Sequence, residues 1–162
     1  ADEIAVMIDG KIVQVATPQQ LYRNPVNKEF ATFLENTNFL AGQAVNGRVS
    51  CELGEFPFEN SKTGEVTVML RPETIGLTES AAGNAKVVAV EYYGHDQLVT
   101  VSLSSGSLVR CRLLGTAGDF TAGQNVALEI NDEIVVYPNQ VDSNAALESF
   151  RTVKRSSNPA DD

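Results

Sequence analysis

The sequence predicts a mainly β protein in which a β-hairpin and two short helices precede a small β-barrel or sandwich. From about residue 43 onward, short apolar segments alternate with Gly, Asn and Asp at regular spacing, as is typical of small all-β folds. Before that point the chain contains one tight-turn dipeptide and two brief helical patterns. Hydrophobic residues make up 43% of the 162-residue chain, which is enough to form a core.

The predicted hairpin is centred on Asp9-Gly10, which separates two apolar, β-rich runs. This dipeptide accepts a positive φ at both central positions of a type I′ turn, and such a turn joins two strands tightly. Thr17, Pro18 and Gln20 then supply an N-cap hydroxyl, a proline at the first helical position and a capping-box glutamine. We therefore predict a helix over residues 18–24 directly after the hairpin.

A second helix is predicted over residues 27–36. Asn24-Pro25 separates it from the first, because proline disfavours helix at the residue before it. Phe30, Phe33 and Leu34 fall on one face of this helix, and we interpret them as an apolar stripe that packs in a core.

The remainder of the chain is predicted to contain seven strands, over residues 47–53, 65–71, 85–93, 98–104, 108–113, 125–130 and 134–137. Residues 99–103 and 109–113 alternate with period two, so one face of each strand should be buried. Ser105-Gly106 between them predicts an antiparallel hairpin. We expect a helical turn around residues 145–153 and a polar, disordered end after it.

The charge balance argues against several classes of partner. Twelve basic and twenty-one acidic residues give a net charge of -9, which repels nucleic acid and anionic lipid surfaces. Cys51 and Cys111 are the only cysteines, and no secretory segment is visible, so a reduced cytosolic setting with buried, unreactive thiols is the simpler interpretation. No stretch approaches the ~20 apolar residues that span a bilayer, so direct membrane insertion is not expected.

Two groups of residues are candidate sites. His95 is the only histidine, and Gly94 and Asp96 flank it in a predicted β-turn, which we take as a candidate regulatory turn. Arg71 and Glu73 flank Pro72 and form a candidate structural contact at a strand exit. Neither group supplies a nucleophile with its base, or a spaced set of metal ligands. We predict no catalytic, metal-binding or cofactor-binding residue.

Several motifs follow one another in residues 1–42. They are Asp2-x-Ile4-Ala5-Val6-Met7, Asp9-Gly10-Lys11-Ile12, Thr17-Pro18-x-x-Leu21-Tyr22-x-x-Pro25, Phe30, Phe33-Leu34 and Asn38-Phe39-Leu40. Their order resembles the C-terminal end of the nucleotide-binding domain of ABC-importer ATPases. The resemblance implies that the ATPase chemistry, with its ATP and Mg²⁺, belongs to a part of the intact subunit upstream of residue 1. The chain has no G-x-x-x-x-G-K-[ST] phosphate loop, so this fragment is not expected to be an enzyme.

A second set of motifs lies in residues 43–138. They are Met69-Leu70-Arg71-Pro72-Glu73-x-Ile75-x-Leu77, Val90-Glu91-Tyr92-Tyr93-Gly94-His95-Asp96-x-Leu98-Val99, Ala122-Gly123-Gln124-x-Val126 and Val135-Val136-Tyr137-Pro138. They resemble the transport-associated OB (TOBE) domain, an OB-like small β-barrel, of importer ATPases in the ferric-iron and polyamine branch. The two resemblances divide the chain into a nucleotide-binding-domain remnant (1–42), the OB-type barrel (43–140) and a C-terminal tail (141–162).

These resemblances imply the C-terminal regulatory and dimerisation region of an ABC-importer ATP-binding subunit, with ferric iron as the first choice of solute. The implied partners are a second copy of the chain and, through the missing domain, membrane permease subunits at the cytoplasmic face. A stand-alone OB-type module for a small oxyanion is the alternative. A nucleic-acid binder would need a basic groove with exposed aromatic residues, which the charge of -9 and the sparse aromatics disfavour.

Overall fold

The mainly β class is confirmed. The computed structural model describes residues 2–33, 37–59, 63–131, 134–138 and 150–151. Thirteen strands are present in this part of the chain: β1 Ile4–Ile8, β2 Lys11–Ala16, β3 Asn38–Val45, β4 Arg48–Cys51, β5 Gly54–Pro57, β6 Gly64–Leu70, β7 Ile75–Glu79, β8 Ala85–Tyr92, β9 Asp96–Leu103, β10 Leu108–Leu114, β11 Asn125–Ile130, β12 Val135–Pro138 and β13 Phe150–Arg151.

The predicted hairpin at Asp9-Gly10 is present. Strands β1 and β2 pair antiparallel in a sheet of their own, and Asp9 and Gly10 have φ values of 50° and 74°. Two consecutive positive φ values are those of a type I′ turn, the geometry that the dipeptide predicts. A bulge between Val6 and Met7 shifts the register, and it leaves Met7 and Ile12 exposed opposite each other.

Two short helical segments follow, α1 over Pro18–Arg23 and α2 over Lys28–Phe33. The capping box at the start of α1 forms as predicted: the Gln20 N–H donates to Thr17 Oγ1 at 3.3 Å, and the Thr17 N–H donates to Gln20 Oε1 at 3.1 Å. Phe30 is half-buried. The remainder of the predicted apolar stripe, the Phe33 side chain and Leu34, lies outside what the structure describes.

Two antiparallel sheets form the main body. The five-stranded sheet has the order β10-β9-β8-β11-β7, and the six-stranded sheet has the order β13-β12-β6-β3-β4-β5. The predicted hairpin across Ser105-Gly106 is present, since Leu108 of β10 pairs with Ser102 of β9. A closed barrel is not observed among the described strands: β7 and β10 approach each other, but each remains an end strand of its sheet.

One core lies between the two sheets. Its fully buried side chains come from both of them and include Val49, Val68, Val136, Val99, Val101, Val109, Cys111 and Val126. A second, smaller cluster lies on the other face of the six-stranded sheet, where Ala31 of α2 packs with Met69, Val135 and Tyr137. Strand β6 contributes to both clusters, which is why five consecutive residues, 66–70, are buried.

The sequence patterns missed strands β3, β5, β7 and β13. Strand β3 extends across positions 42 and 43, where the sequence suggested a change of domain, and that division of the chain stays a prediction. Strand β3 is joined to β4 by Asn46-Gly47, a second pair with positive φ, and the predicted strand 47–53 is in fact β4 and the turn after it.

The predicted helical turn around residues 145–153 is wrong at Phe150–Arg151. These two residues are extended because they pair with Val135 and Val136 of β12. The other residues of that prediction, and the polar end, lie outside the described part of the chain. Among the residues described, no helix is long and apolar enough to cross a membrane.

The two cysteines should differ in reactivity. Burial raises the pKa of the Cys111 thiol to about 12, and it also raises the pKa of the half-buried Cys51. Since the thiolate is the reactive form, we expect a disulfide reagent at pH 8 to modify Cys51 slowly and Cys111 only after unfolding. Thiol titration with and without denaturant measures this. The Cys51→Ser variant should show no native reactivity, and rapid modification of that variant would contradict the placement of Cys111.

Candidate functional site

The predicted Gly94-His95-Asp96 turn connects β8 to β9. The Tyr93 N–H donates to the Asp96 carbonyl at 2.8 Å, and Gly94 has a φ of 89°, a conformation that glycine adopts without strain. The His95 side chain is 90% exposed, with its Nε2 3.3 Å from Asp96 Oδ1. His95 is therefore a surface group at the tip of a hairpin, available to a partner.

Hydrogen bonds to β10 and to the residues after it fix the residues of the turn and Gln97. Arg112 Nη1 of β10 donates to Asp96 Oδ2 at 2.5 Å, and the Gly115 N–H donates to the His95 carbonyl at 2.9 Å. The Gln97 side chain is 2% exposed and donates from Nε2 to the carbonyls of Leu114 and Gly118, at 3.1 and 2.9 Å. These contacts fix the exposed turn on a rigid support.

Arg71 and Glu73 are linked through Tyr22 of α1. The Arg71 guanidinium donates to Thr37 Oγ1 at 2.6 Å and to the Tyr22 carbonyl, and its Cζ lies 4.1 Å from the Tyr22 ring centroid. The Tyr22 hydroxyl donates to Glu73 Oε1 at 2.6 Å. We call these four residues, Tyr22, Thr37, Arg71 and Glu73, the Tyr22 bridge. They join the N-terminal segment, by which we mean residues 2–33 with β1, β2, α1 and α2, to the end of β6.

The electrostatics of the bridge follow from its burial. Desolvation raises the Tyr22 pKa to about 12, and the hydrogen bond to Glu73 and its negative charge act in the same direction. Desolvation also lowers the Arg71 pKa, while the charge of Glu73 opposes that change. Arg112, which pairs with Asp96, lies close enough to act on Tyr22 as well. Arg112 thus pairs with Asp96 of the predicted turn, and its charge also acts on Tyr22 of the bridge.

Three further side chains hold distant parts of the chain together, and none of these contacts was singled out in the sequence. Tyr137 ties β12 to the segment between α1 and α2, Asn38 joins β3 to β10, and Gln14 joins β2 to the segment between α1 and α2. Tyr137 donates its hydroxyl to the Pro25 carbonyl at 2.6 Å. The Asn38 side chain donates to the Arg110 carbonyl and accepts from the Arg110 N–H, both at 2.8 Å. Gln14 likewise bonds the backbone of Asn24 and Val26, both at 2.9 Å. A side-chain amide that pairs with one backbone unit leaves no periodic pattern, so the sequence alone does not reveal it.

A shallow cleft of about 340 Å³ lies elsewhere on the five-stranded sheet. Its lining residues are Gly83, Asn84, Ala85, Lys86, Ser102, Leu103, Ser104 and Asn125. It offers hydroxyl and amide groups with one cation. In the part of the chain that the structure describes, no three His, Cys, Asp or Glu side chains come together as a metal site.

Comparison with known proteins gives two findings. The TOBE domain family matches residues 68–137. Fe(3+) ions import ATP-binding protein FbpC of Yersinia pseudotuberculosis is 36% identical over 146 residues, which cover 85% of this chain and 42% of that protein. FbpC 2 of Rhodococcus jostii is 33% identical over 144 residues, with 85% and 41% covered. The chain therefore spans less than half the length of these relatives.

Gly115→Ala should destabilise the turn. A Cβ at Gly115 would lie 2.1 Å from the Gly94 carbonyl oxygen, a backbone atom that cannot move without breaking the hairpin. We expect a loss of about 2 kcal/mol or more in a denaturant titration, as for overpacked sites. His95→Ala, in the same turn, should change stability by less than ~0.5 kcal/mol because its side chain is exposed. A large loss in His95→Ala would show that the imidazole has a structural role.

Arg71→Lys should also destabilise the chain. A lysine ammonium cannot reach Thr37 and the Tyr22 carbonyl together while stacking on the Tyr22 ring, because those contacts use the planar fork of the guanidinium. We expect a loss of about 2 kcal/mol in thermal or denaturant unfolding. Arg23→Lys, at an exposed position next to Tyr22 on α1, is the matched control and should be neutral. Equal stability of the two variants would exclude the bridge as a stabilising contact.

Proposed function

The chain contains a TOBE domain and is homologous over most of its length to Fe(3+) ions import ATP-binding proteins, and on this premise we propose that it is the C-terminal regulatory and dimerisation region of an ABC-importer ATP-binding subunit. The transported solute is ferric iron, as in the names of the relatives. ATP and Mg²⁺ are bound by the remainder of the subunit. That subunit acts at the cytoplasmic face of the membrane with permease partners.

The observation that supports this proposal is that the similarity extends beyond the TOBE match, and that the structure attaches the N-terminal segment to the sheets. The similarity covers 85% of the chain, more than the 70-residue TOBE match alone, so it includes residues outside that domain. In the structure, the helices of the N-terminal segment are attached to the sheets by the Tyr22 bridge, by the Tyr137 hydroxyl and by the packing of Ala31, and Gln14 attaches the hairpin to the segment between the helices. A regulatory domain can influence its ATPase only through such an attachment.

In this mechanism the fragment contributes an interface and no chemical step. Its OB-type domain pairs with that of a second subunit and keeps the two nucleotide-binding domains together as they open and close. The exposed Gly94-His95-Asp96 turn on its rigid support is the candidate contact for a regulator, since recognition is commonly carried by loops on a rigid scaffold.

The alternative function, a stand-alone oxyanion module, would use the cleft around Lys86. Its lining also includes the Asn125 side-chain amide, whereas the hydroxyls of Ser102 and Ser104 already donate to the carbonyls of Leu103 and Asn84, at 3.4 and 3.1 Å. However, one lysine offers little compensation in a chain of net charge -9, and such a module has no use for the N-terminal attachment. Calorimetric titration with molybdate and phosphate distinguishes the two functions, because only the alternative requires saturable binding.

A chimera tests the proposed function directly. The matching 144-residue region of the Rhodococcus jostii relative is replaced by this chain, and uptake of labelled ferric iron is measured in cells lacking the native subunit. We expect uptake well above that of a control in which the same region is deleted. The isolated chain should not bind Mg-ATP in a calorimetric titration. Uptake no better than in the deletion control, or tight Mg-ATP binding by the isolated chain, would contradict the proposal.

A further inference from the structure

Strands β1 and β2 and helix α1 form one packed unit, which we call the arm, over residues 4–23. The hairpin is a sheet of its own, and among the described elements α1 packs mainly against β2. The Gln14 side chain of β2 adds to this association, because it bonds the backbone on both sides of Pro25, just after α1. The arm is therefore packed on itself, and separate contacts attach it to the two large sheets.

Two attachments of different character join the arm to the sheets. One is the Tyr22 bridge, where Tyr22 is 38% exposed and Glu73 is also exposed. The other follows the arm directly: the Pro25 carbonyl accepts from the Tyr137 hydroxyl at 2.6 Å in a buried site, and Ala31 of α2 is fully buried against the six-stranded sheet. Water competes for the hydrogen bonds of the first attachment and is excluded from the second, so the first should open more easily.

The Tyr22 bridge also leaves one hydrogen-bonding group unsatisfied. Among the described residues, the Arg71 Nε–H is a buried donor without an acceptor, while Nη1 and Nη2 donate to Thr37 and to the Tyr22 carbonyl. A buried donor without a partner raises the free energy of this arrangement. Glu73 lies two residues further along the chain and its charge acts on Arg71, but here it accepts from the Tyr22 hydroxyl.

We propose that the arm turns about residues 24–26 as a hinge, and that the Tyr22 bridge holds it closed. In the open arrangement Tyr22 leaves Arg71 and Glu73, and these two side chains, left without Tyr22, pair with each other. The Arg71 Nε–H then has an acceptor. The arm moves as a packed unit and does not unfold.

Residues 24–26 have the features of a hinge. Asn24, at the end of α1, has left the helical conformation, with φ −138° and ψ 71°, and Pro25 prevents α1 and α2 from forming one continuous helix. Gln14 and Tyr137 both bond the backbone of this segment. Because these contacts lie at the axis of rotation, they persist when the arm turns, as is typical of hinges between packed elements.

The proposal rests on the proposed function, and it names the movement by which the regulatory region acts on the remainder of the subunit. Opening changes the position of residues 4–23 relative to both sheets. Any binding event that replaces the hydrogen bond between Tyr22 and Glu73 favours the open arrangement, because it stabilises one of two states.

Distances between pairs of spin labels measure the hinge in the isolated chain. In a Cys51→Ser background, Gln19→Cys on α1 and Thr78→Cys on β7 place labels at exposed positions of the arm and of the five-stranded sheet. A second pair, Gln43→Cys on β3 with Thr78→Cys, reports on the two sheets alone. Cys111 is buried and should not take a label. We expect the closed distance to predominate in the parent chain.

Tyr22→Ala and Tyr93→Ala provide a matched pair of variants. Both tyrosines are exposed, and the hydroxyl of each donates to a glutamate, Glu73 and Glu91 respectively. Tyr22→Ala removes this hydrogen bond and the ring that stacks on Arg71, so we expect the open fraction to rise roughly 10-fold or more. The distance between the two sheets should stay the same, and Tyr93→Ala should change neither distance.

Tyr22→Phe is the milder variant, because it removes the hydroxyl and keeps the ring. Its open fraction should lie between those of the parent and of Tyr22→Ala, and it decides the question by the same comparison in case Tyr22→Ala does not fold. An unchanged distance from arm to sheet in both Tyr22 variants would overturn the hinge. A change in the distance between the sheets would overturn it too, because the substitution would then have disturbed the whole domain.

The outcomes also separate the hinge from the proposed function. Iron uptake by the chimera together with an unchanged distance from arm to sheet rejects the hinge and leaves the function standing. An arm that opens in the Tyr22 variants, in a chain whose chimera does not restore uptake, supports the hinge as a movement of this chain and contradicts the function. Restored uptake that falls in the Tyr22→Phe chimera and not in the Tyr93→Phe chimera supports both.

Discussion

Burial of strand β6 on both faces is the constraint on which the remainder of the structure depends. Val66, Val68 and Leu70 point into the core between the sheets, and Met69 points into the smaller cluster with Ala31 and Tyr137. A strand covered on both faces requires a layer on each side. The five-stranded sheet supplies one layer and α2 supplies part of the other. The N-terminal segment is thus part of the packing of the domain and is more than a leader attached to it.

Arg71 follows β6 directly, and its position explains why a buried cation is tolerated there. The guanidinium stacks on the Tyr22 ring, and it donates to the Tyr22 carbonyl and to the Thr37 hydroxyl. The carboxylate whose charge acts on Arg71 is that of Glu73, which accepts from the Tyr22 hydroxyl. The charge of Arg71 is therefore compensated by contacts with α1. Separation of α1 from the end of β6 would expose an uncompensated cation and a free carboxylate.

Local features were predictable from the sequence, and contacts between distant residues were not. The Asp9-Gly10 turn and the Thr17 capping box are determined by backbone geometry within four residues, and both form. Strand β3 was missed because the predicted change of domain fell inside it, at residues 42 and 43. A Cβ at Gly42 would lie 2.9 Å from the Ser50 carbonyl oxygen and 3.1 Å from Val68, so glycine there permits close approach of neighbouring groups. The Asn46-Gly47 pair was an available hairpin signal. The link between Tyr22 and Glu73 spans 51 positions, and no periodicity encodes it.

The β1–β2 hairpin forms a sheet of its own, and this isolation affects how the chain opens. A two-stranded sheet is only marginally stable in water, so the hairpin depends on the Gln14 hydrogen bonds and on the contact of β2 with α1. Its amide hydrogens should exchange with solvent through local opening, whereas those of β6 should exchange only when both sheets separate. Residues 4–16 and the two large sheets therefore behave as distinct cooperative units, and a proteolytic cut in the hairpin would leave the core of the domain intact.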